Sequence, residues 1–231
     1  MVNEVCLISL QSYIIDKMIS ERIHNLIFDL GGVIYQIDFD RQKKAFSEVG
    51  IGDFEKLYAQ ALQDPLFCDL ETGKIQNEIF RENLMILTGK EFSESTIDAL
   101  WNSILIDFYH DNVRLLQKLK FKYRIYMLSN TNAIHYNFYS AQFLKSYGYN
   151  LDDLFYKCYW SFKIGMRKPN QEIFMKVINE NGLTHENALF IDDTFLNTAS
   201  AEKVGLTSYW LQPGEDLHTL FDENLLITLS Q

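Results

Sequence analysis

Three short apolar runs, Leu26-Ile27-Phe28, Tyr126-Met127-Leu128 and Leu189-Phe190-Ile191, each stop at polar residues: Asp29, Ser129-Asn130 and Asp192-Asp193. Strands buried on both faces of a parallel sheet read as unbroken apolar segments, so these runs are predicted as neighbouring core strands. Ligands of such sheets bind in the crevice beyond the carboxyl ends of the strands. After the first run comes a turn at Gly31-Gly32, then a helix predicted from about Arg41 to Val49 with Asp40 as N-cap. Between Phe54 and Trp101 the apolar spacing is helical, as at Ile75, Ile79, Phe80, Leu84 and Leu87, with a break at Thr88-Gly89. Strand and helix then alternate: a helix over Asp111 to Lys120, a strand over Arg124 to Leu128, and a helix from Ala133 to Leu144. Next come a strand near Tyr156 to Trp160, a helix over Asn170 to Glu180 and the strand ending at Asp192. A helix to Val204, stopped by Gly205, and a strand over Thr207 to Leu211 complete the series.

This alternation implies an α/β fold with a three-layer, Rossmann-like parallel-sheet core and an inserted small all-helical cap. The expected boundaries are an N-terminal extension over 1–22, the core over 23–35 and 106–231, and the cap over 36–105. Residues before Ile23 fit no part of the pattern, and Met18 lies just ahead of the first strand.

Composition narrows the function. Hydrophobic residues make up 47% and charged residues 23% of the 231-residue chain, which fits a folded enzyme and not a disordered one. A formal charge of −10 argues against nucleic acid as partner, because its backbone needs clustered Lys and Arg. The cysteines Cys6, Cys68 and Cys158 form no paired motif and point to a reducing cytoplasm. No run approaches the roughly 20 apolar residues of a membrane span, and Glu4 stands where a signal peptide would be basic. The expectation is therefore a cytoplasmic protein with no membrane partner; the oligomeric state carries no sequence signal.

The polar strand ends supply the candidate chemistry. Asp29, ahead of Gly31-Gly32, has the placement of a carboxylate nucleophile or metal ligand, although an Asp there also caps turns. Asp192-Asp193 brings two more carboxylates to a neighbouring strand end, a costly grouping unless a cation offsets the repulsion. Hard oxygen ligands of this kind suit Mg²⁺ together with a substrate phosphate. Lys168, on the loop Gly165-Met166-Arg167-Lys168-Pro169, can neutralise a phosphoryl group, though most lysines are merely solvated. Ser129 and Asn130, opening into Thr131-Asn132-Ala133, offer donors to a phosphate and equally read as an N-cap run.

In order and spacing these elements resemble the haloacid dehalogenase superfamily of phosphotransferases, over residues from about Ile23 to Leu211. The first motif resembles Phe28-Asp29-Leu30-Gly31-Gly32-Val33, the second Leu128-Ser129-Asn130, the third Lys168-Pro169 and the fourth Ile191-Asp192-Asp193 with Asn197. The resemblance implies that Asp29 forms an aspartyl-phosphate. It also implies that the other oxygen of Asp29, the Gly31 carbonyl and Asp193 hold Mg²⁺, with Asp192 acting through a water. Ser129 and Asn130 would bind the phosphoryl oxygens, Lys168 would link phosphate to Asp29, and the helical insertion would act as a lid.

One departure stands out. Most phosphatases of the family carry a second Asp two positions after the nucleophile as general acid, and this chain has Gly31. A subgroup of bacterial sugar-phosphate phosphatases is similar in the first motif and in Leu128-Ser129-Asn130-Thr131-Asn132 followed by His135. His135, with an ordinary pKa near 6.5, is then the candidate acid, ahead of Asp38 and Arg41. The expected activity is a Mg²⁺-dependent phosphatase of a small phosphorylated metabolite, with a sugar phosphate as leading candidate. The alternatives are a metal-independent haloacid dehalogenase-type hydrolase and a catalytically weak phospho-ligand-binding protein. Specificity is expected from lid residues such as Phe67, Glu71, Thr72, Gly73 and Lys74, with Trp101, Tyr109 and Trp160 as candidate sugar platforms.

Overall fold

A computed structural model of the chain describes residues 22–52 and 65–228. Most of the N-terminal extension, with Glu4, Cys6 and Met18, lies outside the described residues, as does the first part of the helical reading that begins at Phe54. The predicted strands form one parallel sheet of five. Its members are β1 (Asn25–Phe28), β4 (Arg124–Ser129), β5 (Lys157–Trp160), β6 (Ala188–Asp192) and β7 (Thr207–Trp210), in the order β5-β4-β1-β6-β7. Two further strands, β2 (Tyr35–Ile37) and β3 (Leu105–Phe108), pair antiparallel at the margins of the segment read as all-helical. Neither was foreseen, because three or four residues with a register shift between them are too short to display alternation.

Successive strand residues point to opposite faces, which is why the core strands must be apolar throughout. On β1, Leu26 and Phe28 enter one core and Ile27 the other. On β4, Ile125 and Met127 face the first and Tyr126 and Leu128 the second, and β6 divides in the same way. Fully burying each such side chain stabilises the fold by about 1.5–3 kcal/mol. The first core is covered by α5 (His110–Leu119) through Val113, Leu115, Leu116 and Leu119, and by α6 (Ala133–Tyr147) through Tyr139 and Phe143. The second is covered by α8 (Gln171–Asn181) through Ile173, Phe174 and Val177, and by α9 (Phe195–Lys203) through Ala201. The short α7 (Ser161–Ile164) follows β5 directly. Three layers result.

Between β2 and β3 lie α1 (Phe39–Glu48), α2 (Leu66–Glu71), α3 (Asn77–Thr88) and α4 (Glu94–Asn102). They pack around a third, smaller core of Phe46, Phe67, Leu70, Phe80, Leu84, Ile97 and Trp101, which Ile134 of α6 also joins. The N-cap of α1 is Asp38, not Asp40: its Oδ1 accepts the Arg41 N–H at 3.1 Å. Carboxylates stand at both positions of Asp38-Phe39-Asp40, and the chain direction leaving β2 selects the first. Among the described residues no helix is long and apolar enough to cross a membrane.

Candidate active site

Register brings the polar strand ends together. Phe28 is paired with Met127 on one side and Ile191 on the other, so Asp29 emerges level with Leu128 of β4, one residue short of Ser129, and with Asp192 of β6. Ligand oxygens of Asp29, Asp192 and Asp193 lie within 4.8 Å of one another. The ammonium of Lys168, only 1% exposed, reaches into this group, 2.8 Å from Asp29 Oδ1 and 2.6 Å from Asp192 Oδ2. Asp29 Oδ1 also accepts the Leu30 N–H at 2.7 Å, while among the described residues no hydrogen bond reaches Oδ2. A carboxylate held at one oxygen and open at the other is the arrangement an oriented nucleophile or ligand needs.

The two adjacent aspartates differ. Asp192 is fully buried, and both its oxygens are engaged: Oδ1 by the Thr194 N–H at 2.8 Å and Asn197 Nδ2 at 3.0 Å, Oδ2 by Lys168 and Asn197. Asp193 is half-buried, and its Oδ1 accepts from Thr194 Oγ1 at 3.3 Å. Its backbone is held from outside by Trp210, whose Nε1 donates to the Asp193 carbonyl at 3.0 Å. Gly32 explains the glycine pair. It has φ of +69°, and a Cβ there would lie 2.0 Å from Asp193 Oδ2, so any side chain would displace that carboxylate. Gly31 is different: a Cβ there would meet only Ile37, at 3.6 Å, so the backbone leaves room for the missing carboxylate.

The electrostatics of the cluster are unbalanced. Burial pushes the Asp29 carboxyl up to about 7, opposed by Lys168 and reinforced by Asp192 and Asp193. Burial and Asp192 likewise raise Asp193. Burial alone would lower Lys168, but Asp192 and Asp29 outweigh it and its pKa rises. Three carboxylates against one ammonium leave net negative charge in a site of low dielectric, and hard oxygen donors of this kind are what a divalent cation binds.

Next to Asp29 opens a cavity of about 190 Å³, lined by Leu30, Gly31, Ser129 and Asn130 at its base and by Phe67, Glu71, Trp101 and His135 on its walls. Thus Phe67 and Glu71, of the five lid residues singled out, line the cavity; Thr72, Gly73 and Lys74 do not. The Asn130 side chain is not free for a phosphate. Its Nδ2 donates to the Lys168 carbonyl at 2.8 Å and its Oδ1 accepts the Lys168 N–H at 2.9 Å, so the amide clamps the loop that carries the lysine. Ser129 Oγ makes only a long contact, 3.5 Å to the Asn130 carbonyl, and stays available. Ser161 fixes the same turn by accepting from Thr131 N and donating to Thr131 O, both at 2.9 Å.

His135 does not have the environment expected of it. The half-buried ring stacks on Trp101 with centroids 5.2 Å apart and 6° between planes, and Nδ1 meets Asn102 Oδ1 at 2.8 Å. Burial pushes the pKa down to about 3, so the imidazole is neutral at physiological pH and lacks the acidic imidazolium proton that a departing oxygen would take. The other candidate acids have structural partners: Asp38 caps α1, and Arg41 donates to the Leu105 carbonyl at 3.0 Å. Nor are the tryptophans open platforms. Trp101 packs against Phe67 and His135, and Trp160 is 1% exposed with its Nε1 donating to Asp152. Sequence reasoning missed Asn102 and Gln42, buried polar residues that hold His135 and the Trp101 carbonyl. It also missed the Arg167–Glu71 ion pair of 2.9 Å, since its partners lie far apart in the chain.

Known proteins resemble this chain in sequence and overall fold. A model of the haloacid dehalogenase-like hydrolases matches residues 23–205. A D-ribitol-5-phosphate phosphatase of Bacteroides thetaiotaomicron is 30% identical over 194 residues, covering 84% of this chain and 94% of the relative. A crystal structure of a haloacid dehalogenase family enzyme from the same organism is 35% identical, with a TM-score of 0.82 over 87% of this chain and 99% of its own. A complex of that wild-type enzyme with magnesium and inorganic phosphate, also 35% identical, gives 0.77 over 87% of this chain and 100% of its own.

Proposed function

Because the chain belongs to the haloacid dehalogenase-like hydrolases, we propose that it is a Mg²⁺-dependent phosphatase of a small phosphorylated metabolite, a sugar or polyol phosphate. The observation that carries this reading is the cluster of Asp29, Asp192 and Asp193 around buried Lys168. Similarity to a D-ribitol-5-phosphate phosphatase and to an enzyme crystallised with magnesium and phosphate supports the substrate class and the ion.

The donor set fits the ion: carboxylate oxygens converge, and Gly32 clears the space that Asp193 occupies. Asp29, Asp193 and the Gly31 carbonyl would hold Mg²⁺, which when bound supplies the positive charge that keeps Asp29 ionised and offsets the phosphoryl oxygens. Asp29 Oδ2, which receives no hydrogen bond among the described residues, attacks phosphorus, and the ester P–O bond breaks as the aspartyl-phosphate forms. Lys168 restrains Oδ1 and faces the phosphoryl group; Ser129 Oγ donates to one of its oxygens. Asn130 acts through Lys168, as a positioning residue. With Gly31 lacking a carboxylate and His135 neutral, the leaving oxygen takes its proton from water or from a substrate hydroxyl. Water then cleaves the acyl-phosphate and releases phosphate. In this reading helices α1 to α4 form the lid that encloses the leaving group.

Hydrolysis of p-nitrophenyl phosphate tests the proposal. Activity should vanish in chelator, return with Mg²⁺ and be absent from Asp29→Asn at unchanged circular dichroism. Turnover by Asp29→Asn equal to wild type would refute covalent catalysis by Asp29, and full activity in chelator would refute the ion.

A further inference from the structure

Strand β6 ends at Asp192 and the chain leaves the sheet at Asp193, yet the carboxylates of both residues belong to one cluster. Continued pleating would send them to opposite faces, so the two can meet only because the chain turns out of the ladder here. That turn leaves the Asp193 carbonyl without a ladder partner. The Asp192 carbonyl accepts the Leu211 N–H at 3.0 Å, whereas among the described residues no backbone donor reaches the carbonyl of Asp193. A side chain takes that place. Trp210, the last residue of β7 and the register partner of Asp192, donates its Nε1–H to the Asp193 carbonyl at 3.0 Å. The indole is aimed by Phe195, whose ring meets it edge-on with centroids 5.4 Å apart and 69° between planes. On the inner side, Thr194 Oγ1 donates to Asp193 Oδ1 at 3.3 Å, and Gly32 leaves the room that Oδ2 occupies. The Asp193 residue is thus held at its backbone as well as at its carboxylate.

We propose that Trp210 is a positioning residue for the metal ligand Asp193, and that its hold on the Asp193 carbonyl raises the preference of the site for Mg²⁺ over Ca²⁺. This rests on the Mg²⁺-dependent phosphatase reading and adds to it a residue that tunes the ion. Trp210 is 39% exposed, so water would satisfy both its N–H and the Asp193 carbonyl if the two were parted. The bond therefore decides where Asp193 sits more than whether the chain folds. Groups that fix a ligand from outside the coordination sphere commonly change metal affinity by about 10–100-fold. Mg²⁺ demands near-ideal octahedral geometry with ligands at about 2.0–2.1 Å, whereas Ca²⁺ accepts flexible arrangements at about 2.3–2.6 Å. A carboxylate on a fixed backbone suits the first ion, and one on a backbone free to swing suits the second.

The test is calorimetry on the metal-free protein, titrated separately with Mg²⁺ and with Ca²⁺, for wild type and for Trp210→Phe, which keeps a ring against Phe195 and removes the N–H. Mg²⁺ affinity should fall about tenfold in the variant and Ca²⁺ affinity by about threefold or less. Indole emission gives a second readout. Of the three tryptophans only Trp210 is bonded to a residue of the carboxylate cluster, since Trp160 Nε1 donates to Asp152 and Trp101 Nε1 has no partner among the described residues. Wild-type emission should therefore change with Mg²⁺ at the concentration calorimetry gives, and the variant should lack that change. A Mg²⁺ affinity within twofold of wild type, or equal losses for the two ions, would overturn the inference. Should Trp210→Phe fail to fold by circular dichroism, wild-type emission decides, and emission unchanged at saturating Mg²⁺ overturns it. Absence of Mg²⁺ binding by wild type would instead refute the ion of the phosphatase reading and this inference with it.

Discussion

Replacing Lys168 by Met removes the only cation within the carboxylate cluster among the described residues while keeping an unbranched side chain against Phe190, whose ring centroid lies 5.5 Å from Nζ. Breaking a buried ion pair by deleting one partner costs about 3–5 kcal/mol, because the other charge remains buried. Two carboxylate oxygens 4.8 Å apart repel by about 3.5 kcal/mol at an effective dielectric of 20, enough to drive proton uptake by Asp29 beyond that of wild type. A carboxyl whose folded pKa is raised contributes stability that is present at low pH and lost as pH rises through the folded value. In metal-free wild type that loss runs from the unfolded value, about 3.9, to about 7, and the curve is flat above. In Lys168→Met it continues, at about 1.4 kcal/mol per pH unit, well past 7. Urea denaturation in chelator at pH 6, 7.5 and 9 reads both effects: a loss of about 3 kcal/mol at pH 7.5 and a wider gap at pH 9. Mg²⁺ should restore more stability to the variant than to wild type. Parallel curves for the two proteins between pH 7 and 9, or a loss below about 1 kcal/mol, would refute the electrostatic argument.

Four further outcomes are expected. His135, with a folded pKa of about 3 against about 6.5 unfolded, contributes stability that is complete above pH 6.5 and declines by about 2 kcal/mol at pH 5; denaturation of His135→Gln should lack that decline. The same variant should slow alkyl and aryl phosphates alike, and selective slowing of alkyl esters would restore an acid role to His135. Gly32→Ala should weaken Mg²⁺ binding at least tenfold by calorimetry, because the added methyl takes the position of Asp193 Oδ2; unchanged affinity would contradict the packing. Asn130→Ala should lower kcat for p-nitrophenyl phosphate more than tenfold with little change in KM, since its amide holds Lys168 and not the phosphate; a rise in KM alone would make Asn130 a direct ligand.

What this chain declared locally was its sheet and the ends of its strands. A strand covered on both faces has to be apolar at every position, so Leu26-Ile27-Phe28 and Leu189-Phe190-Ile191 were legible, and the polar residue that ends each run marked the crevice. Asp29 and Asp192 could be placed at one site because both end core strands, whereas Lys168 joined them only through the resemblance of the four motifs to a known family. The pairing of β2 with β3 was not legible, since it joins three- and four-residue strands across the whole helical segment. Roles that depend on what surrounds a side chain were decided only by the tertiary structure. Asn130 is a clamp because the Lys168 backbone, 38 residues away, meets both ends of its amide. His135 is neutral because Trp101 and Asn102 enclose it, and desolvation is a property of neighbours that chain order does not list. Glu71 faces the cavity for the same reason: its partner Arg167 comes from the core, and only folding brings helix and loop within 2.9 Å.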